Sequence, residues 1–171
     1  NQHKSRARLA ARASVHAEVF STRMKVCIIG AGAAGLAAAR ALREVGLEAV
    51  VLEQRTKVGG IWNRDPASPP TENCVYDGLA VNLPCELMSF WDFPFEANPS
   101  FVSHSEVQSY LERYATHHRL ERLIRLGTRV LSVKRHEVKM DGSSAEWTVT
   151  MQSVASPIGP GALREDAAAL E

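Results

Sequence analysis

Apolar and polar positions along this chain fall into blocks of different period. Lys25-Val26-Cys27-Ile28-Ile29 is a short apolar run, the pattern of a buried strand. Gly30 to Gly35 reads as a turn. From Leu36 to Val45 an alanine-rich stretch continues as a helix, with Gly46 as its stop. Ala49 to Leu52 is a second apolar run. Two strands around one helix make a βαβ unit, which implies a parallel sheet and a right-handed crossover. The period then fades. Between Glu53 and Ser103, Pro66, Pro69, Pro70, Pro84, Pro94 and Pro99 interrupt regular structure. Pro84 to Phe90 reads as a short helix with proline in its first turn.

Regularity returns at Ser103-His104-Ser105-Glu106, a capping box. Val107, Tyr110, Leu111, Tyr114 and His118 recur at helical spacing, which predicts an amphipathic helix over 104–118. Thr128 to Val138 reads as a strand and Asp141-Gly142 as a turn. Trp147, Val149 and Met151 alternate with Thr148 and Thr150, the signature of a half-buried strand. After Gln152 the pattern ends in a Pro/Gly/Ala tail. The expected class is α/β: a Rossmann-like βαβ unit with a parallel sheet, inserted helices and a β-hairpin. The expected division is a basic extension over 1–23, a nucleotide-binding domain over 24–152 and a disordered tail over 153–171.

Composition narrows this only slightly. The 171 residues suffice for one domain with a core, and 45% hydrophobic with 23% charged residues is ordinary for a globular chain. No apolar run approaches the ~20 residues of a membrane-spanning helix. The net charge of +1 hides an asymmetry. Residues 1–25 carry six Lys/Arg against Glu18, and the rest of the chain is mildly acidic. That balance argues against a nucleic-acid partner. The basic start is rich in Arg, Ala and Ser, as organelle-targeting segments are; an upstream extension before Met24 is the plainer reading, with the cytoplasm as default compartment. Cys27, Cys74 and Cys85 are odd in number and form no C-x-x-C pair, so neither a disulfide framework nor a metal site is expected. Cys27, inside the first strand, reads as a small core residue.

The candidate chemistry lies in Gly30-Ala31-Gly32-Ala33-Ala34-Gly35, a G-x-G-x-x-G placed after a strand and at the opening of a helix. There the unpaired amides and positive dipole end of the helix suit a pyrophosphate. Glu53, 18 residues after Gly35, ends the second strand. A carboxylate there can accept both hydroxyls of an adenosine ribose and would repel a 2′-phosphate, so NADP is disfavoured at this site. Val58-Gly59-Gly60-Ile61-Trp62-Asn63 adds paired glycines and an aromatic, which allow close approach of a second bulky group. A plain NAD-binding domain needs no such feature. His104, His117 and His118 read as solvated or core-edge histidines, and no general base is assigned.

Four stretches in order, "GAGAAGL", "VVLEQRTKVGGIWN", "VYDGLAVNLPCELMSFWDFPF" and "YLERYATHHRLERLIRLGTRVLSV", resemble the N-terminal part of the flavin-containing monooxygenases, relatives of the Baeyer–Villiger enzymes. The resemblance covers roughly residues 24–151. It implies FAD at Gly30 to Gly35, Glu53, Gly60, Ile61, Trp62 and Val81, and Asn82 beside the isoalloxazine as the residue with a catalytic role. Val130 matches a position whose backbone often meets adenine. The family usually has a small residue or Thr around Val81, so the match is loose there. The implied reaction is NADPH- and O2-dependent oxygenation of a nitrogen or sulfur atom of a small molecule through a C4a-hydroperoxyflavin. The chain lacks the family's second G-x-G-x-x-G for NADPH, its Ala-Thr-Gly run and its F-x-G-x-x-x-H signature. It is therefore expected to be a partial member with an incomplete FAD domain. Two alternatives stay open: a non-catalytic flavin-binding module, and another FAD oxidoreductase such as an amine oxidase-like enzyme. The latter typically place Arg after the paired glycines, where this chain has Ile61-Trp62.

Overall fold

The structure is a computed structural model that describes residues 25–65, 74–97, 99–136 and 147–154. The basic start, the Asp141-Gly142 turn and the tail after Val154 lie outside those residues. Strand β1 (Lys25–Ile29) leads into helix α1 (Ala33–Glu44) and strand β2 (Glu48–Leu52). Helix α2 (His104–His117) precedes a two-residue strand β3 (Ile124–Arg125), then β4 (Thr128–Arg135) and β5 (Trp147–Ser153). Single 3-10 turns occupy Gly60–Trp62, Cys85–Met88 and Glu121–Leu123.

β1, β2 and β3 form a parallel sheet in that order, with Cys27 opposite Val50 and Leu52 opposite Arg125. The strand β3 is not legible as a strand in the sequence. Two residues are too few to show a period, and only pairing with Val51 and Leu52 defines them. β4 and β5 form a separate antiparallel hairpin with an irregularity between Val130 and Ser132. The first of these strands is followed to Arg135 rather than Val138, which lies outside the described residues.

The pleat of β2 explains how two cores meet. Val51 belongs to the main cluster, with Leu36 and Ala39 of α1 and Val107, Tyr110, Leu111, Tyr114 and Ala115 of α2. Its neighbours Val50 and Leu52 point to the opposite face and pack with Val149 and Met151 of the hairpin. Cys27 and Val130 border this second cluster, and burial pushes the Cys27 thiol above its ordinary range. Trp147 departs from the expected half-burial: it is exposed, and the Arg135 guanidinium lies 5.9 Å from its ring.

Helix α1 starts three residues before the expected Leu36. The Leu36 amide already donates to Gly32 O at 2.9 Å, so Ala33, Ala34 and Gly35 build the first turn. It stops at Val45, and Gly46 follows with φ 74°. In α2 the capping box is complete: the Glu106 amide donates to Ser103 Oγ at 3.4 Å and the Ser103 amide to Glu106 Oε2 at 2.8 Å. The expected helix over Pro84–Phe90 shrinks to the turn Cys85–Met88, because Pro84 sits before it in an extended conformation, with ψ 137°.

Aromatic contacts hold this irregular segment. Phe95 stacks on Tyr110 at 4.3 Å, and Phe90 meets Tyr114 at 4.1 Å. The Tyr110 hydroxyl accepts from the Phe90 amide and donates to Phe93 O. Each such buried ring contributes about 2 kcal/mol by area. Beside them, Arg40 of α1 pairs with Asp92 at 2.5 Å, and His118 Nε2 lies 3.3 Å from the same carboxylate. Arg43 donates to the His118 carbonyl. Burial lowers the His118 pKa, with the Asp92 charge opposing it. Burial, then Asp92, pushes Tyr114 up to about 12.

Candidate functional site

The site grows from two glycine loops pressed together at the N-terminus of α1. The Gly59 amide donates to Ala31 O at 2.9 Å, and the Gly30 amide to Leu52 O at 2.8 Å. A side chain on Gly60 would place its Cβ 2.9 Å from Gly32 Cα, so the two backbones touch as only glycines can. Within the turn, a Cβ on Gly35 would fall 2.0 Å from Gly30 O. The helix end between these loops has no side-chain cap and no acidic residue in its first turn. Such an end leaves amides and positive dipole for an outside anion.

Glu53 closes the cradle from the end of β2. It is only 5% exposed. Its Oε2 accepts from the Ala31 amide at 2.7 Å and its Oε1 from the Arg55 amide at 2.8 Å. The sequence points to a carboxylate turned toward a ribose; the structure shows it also stapling the strand end to the glycine turn. Two oxygens offer about four lone-pair sites, so capacity for ribose hydroxyls is left. The Glu53 backbone pairs with Arg125 O and the Thr128 amide, which joins the cradle to β3 and β4.

Arg55 was not legible as a site residue. Its guanidinium donates to Gly60 O at 3.3 Å and to Asn63 O, and so braces the second loop. Gln108 does not stand out in the sequence either. Its Nε2 donates to Val58 O at 2.7 Å and to Glu112 Oε1 at 2.9 Å. The signal available was its spacing of three and seven from Leu111 and Ala115, which puts a polar residue at the border of the apolar face.

The structure therefore brings Gly30, Ala31, Gly32, Ala33, Ala34, Gly35, Glu53 and Gly60 into one cradle. Ile61 and Trp62 follow on the same 3-10 turn; Ile61 is exposed, whereas Trp62 is half-buried against the main core. Val81 and Asn82 sit on another segment, pinned to the start of α2 through the Val81 amide and Val102 O at 2.9 Å. Val81 is buried and Asn82 is exposed. Val130 is on the hairpin, half-buried against the second cluster. His117 is exposed and lies on Phe93, and His118 joins the Asp92 pair.

These residues fit a dinucleotide cofactor. The glycine backbones give a cradle that a Cβ would fill, beside an uncapped helix end.

Comparison with known proteins agrees. The sequence pattern of the family described as Flavin-binding monooxygenase-like matches residues 23–156. Flavin-containing monooxygenase FMO GS-OX-like 2 of Arabidopsis thaliana is 37% identical over 153 residues, spanning 78% of this chain and 32% of that relative. Among solved structures, S-allyl-L-cysteine S-oxygenase from Allium sativum aligns with TM-score 0.65 and 32% identity, over 75% of this chain and 32% of the other. An oxidized steroid monooxygenase bound to NADP aligns with TM-score 0.58 and 28% identity, over 75% and 23%. The chain thus spans about a third of the length of the curated relative it matches. Its strand–glycine turn–helix start, its second glycine loop and these alignments together place the chain in the flavin-binding monooxygenase-like family.

Proposed function

We propose that this chain is the FAD-binding part of a flavin-dependent, NADPH-using monooxygenase that oxygenates nitrogen or sulfur atoms of small molecules. One observation carries the reading: the backbone contact of Gly32 and Gly60 across an uncapped helix end, with Glu53 at the tip of β2. In this reading the amides of Gly32 to Gly35 hold the pyrophosphate, those of Gly30 and Ala31 being taken by Leu52 O and Glu53 Oε2, and Glu53 takes the adenosine ribose. The Val130 backbone meets adenine, and Gly60, Ile61, Trp62 and Val81 border the rest of the cofactor. The exposed Asn82 carries a side-chain amide that can donate near the reacting ring. The cofactor supplies hydride acceptance and oxygen activation; the protein positions it and excludes water. Sulfur as the acceptor atom is supported by the likeness to the S-oxygenase of Allium sativum.

The test is a visible spectrum of the purified chain, before and after NADPH is added under air. Flavin bands near ~450 nm, released as FAD on denaturation, are expected. Bleaching by NADPH would show that this chain takes the hydride itself. Bands that do not bleach would place the hydride donor's site outside it. A folded chain that stays colourless and refuses added FAD overturns the proposal.

A further inference from the structure

We propose that Gln108 of α2 is a positioning residue for the flavin cradle, one that locks the Gly59–Gly60 turn in its binding shape from behind. The inference rests on the FAD reading above and adds to it a part played by a helix outside the βαβ unit.

The orientation of the amide is fixed by its partners. Nε2 faces two acceptors, the Val58 carbonyl at 2.7 Å and Glu112 Oε1 at 2.9 Å. A flipped amide would set its oxygen against both, so the assignment follows from chemistry. Oε1 is then directed at Gly59. A Cβ on Gly59 would lie 1.9 Å from Oε1, so the amide fills the space that a side chain would take. Gly59 has φ 118°, a conformation that L side chains rarely adopt. The turn is thus held on three sides: by Gln108 at Val58 and Gly59, by Ala31 O at the Gly59 amide, and by Arg55 at Gly60 O. Glu112, one helical turn on, fixes Gln108 in turn.

The consequence concerns the cost of binding. The turn must press on Gly32 to complete the cradle, and a loop that has to be ordered on binding subtracts that entropy from affinity. Gln108 removes the cost beforehand. Gln108→Met keeps the length of the side chain and loses the donor. Gln108→Lys restores a donor toward both Val58 O and Glu112.

The experiment uses the full chain and titrates FAD by quenching of flavin fluorescence. Amide hydrogen exchange of residues 58–63 and the midpoint of thermal unfolding are read in parallel. Gln108→Met is expected to weaken FAD binding about tenfold, the scale of one or two lost hydrogen bonds, and to speed exchange at Gly59 and Gly60. Gln108→Lys is expected to recover most of the affinity. Unchanged affinity and exchange in a folded Gln108→Met chain overturn the inference and leave the FAD reading standing. So does a loss that Lys does not repair and that follows the unfolding midpoint, since that marks a core filler. If the unmodified chain takes up no FAD, the FAD reading itself fails. Should Gln108→Met not fold, Glu112→Gln, which loosens Gln108 without removing it, is expected to give a smaller loss of the same kind; an unchanged affinity there also overturns the inference.

Discussion

Gly35 is the position least open to change. Its missing Cβ would stand 2.0 Å from a backbone oxygen, and backbone cannot rotate away as a side chain can. Gly35→Ala is expected to cost about 3 kcal/mol or more, through overpacking between β1 and α1, as urea unfolding would show. Glu53 offers the complementary case. Both its carboxylate oxygens accept backbone amides, so Glu53→Gln sets an NH2 against an N–H donor. A loss of about 1–3 kcal/mol is expected, measurable by the same method in the absence of any ligand. That loss would mark Glu53 as a structural staple between the strand end and the glycine turn, apart from the ribose-binding part proposed for it.

At the scale of elements, α2 is held at both ends by side chains. Ser103→Ala breaks the capping box and is expected to cost about 1 kcal/mol in thermal or chemical unfolding. Its other end carries a pH dependence. His118 lies against Asp92, His117 and Tyr114, with the charges of Arg40 and Glu44 also acting on it; burial first of all sets its folded pKa below the ordinary value of ~6.5. The unfolded chain therefore takes up this proton more readily. The stability tied to neutral His118 is full above the ordinary histidine range and is lost as pH falls through the lower folded value. Thermal midpoints at pH 7.5 and pH 5.5 are expected to diverge less in His118→Gln than in the unmodified chain; equal divergence would refute the assignment. Elements whose cause is local were legible in the sequence: the apolar run of β1, the alanines of α1, the Ser103–Glu106 cap and the alternation of β5. Elements defined by a distant partner were not. β3 exists only by pairing with β2, and the Arg40–Asp92–His118 group joins residues from three segments with no shared motif. The same holds for the site: its glycines and Glu53 stand out in the sequence, whereas Arg55 and Gln108 act through backbone carbonyls that no pattern records.

For the whole molecule, the described residues leave apolar surface uncovered. β1 pairs with β2 along one side, and Ile29, Ile61, Leu83, Leu87, Trp91 and Phe101 are each more than half exposed. An open parallel edge with exposed apolar residues favours association. Light scattering of the purified chain is expected to show mass rising with concentration, and Leu87→Lys is expected to reduce the rise while leaving the unfolding midpoint nearly unchanged. Glu53 has a further consequence, in time. Its carboxylate waits on Ala31 and Arg55, which are made early, but its backbone waits on Arg125 and Thr128, which are made late. During synthesis the βαβ unit leaves the ribosome with its cradle only half anchored. Closure is a non-local event that follows the arrival of β3 and β4, and such contacts set the slow step of folding. A nascent chain halted before Arg125 should therefore carry the whole glycine motif and still have no finished pocket to offer a nucleotide.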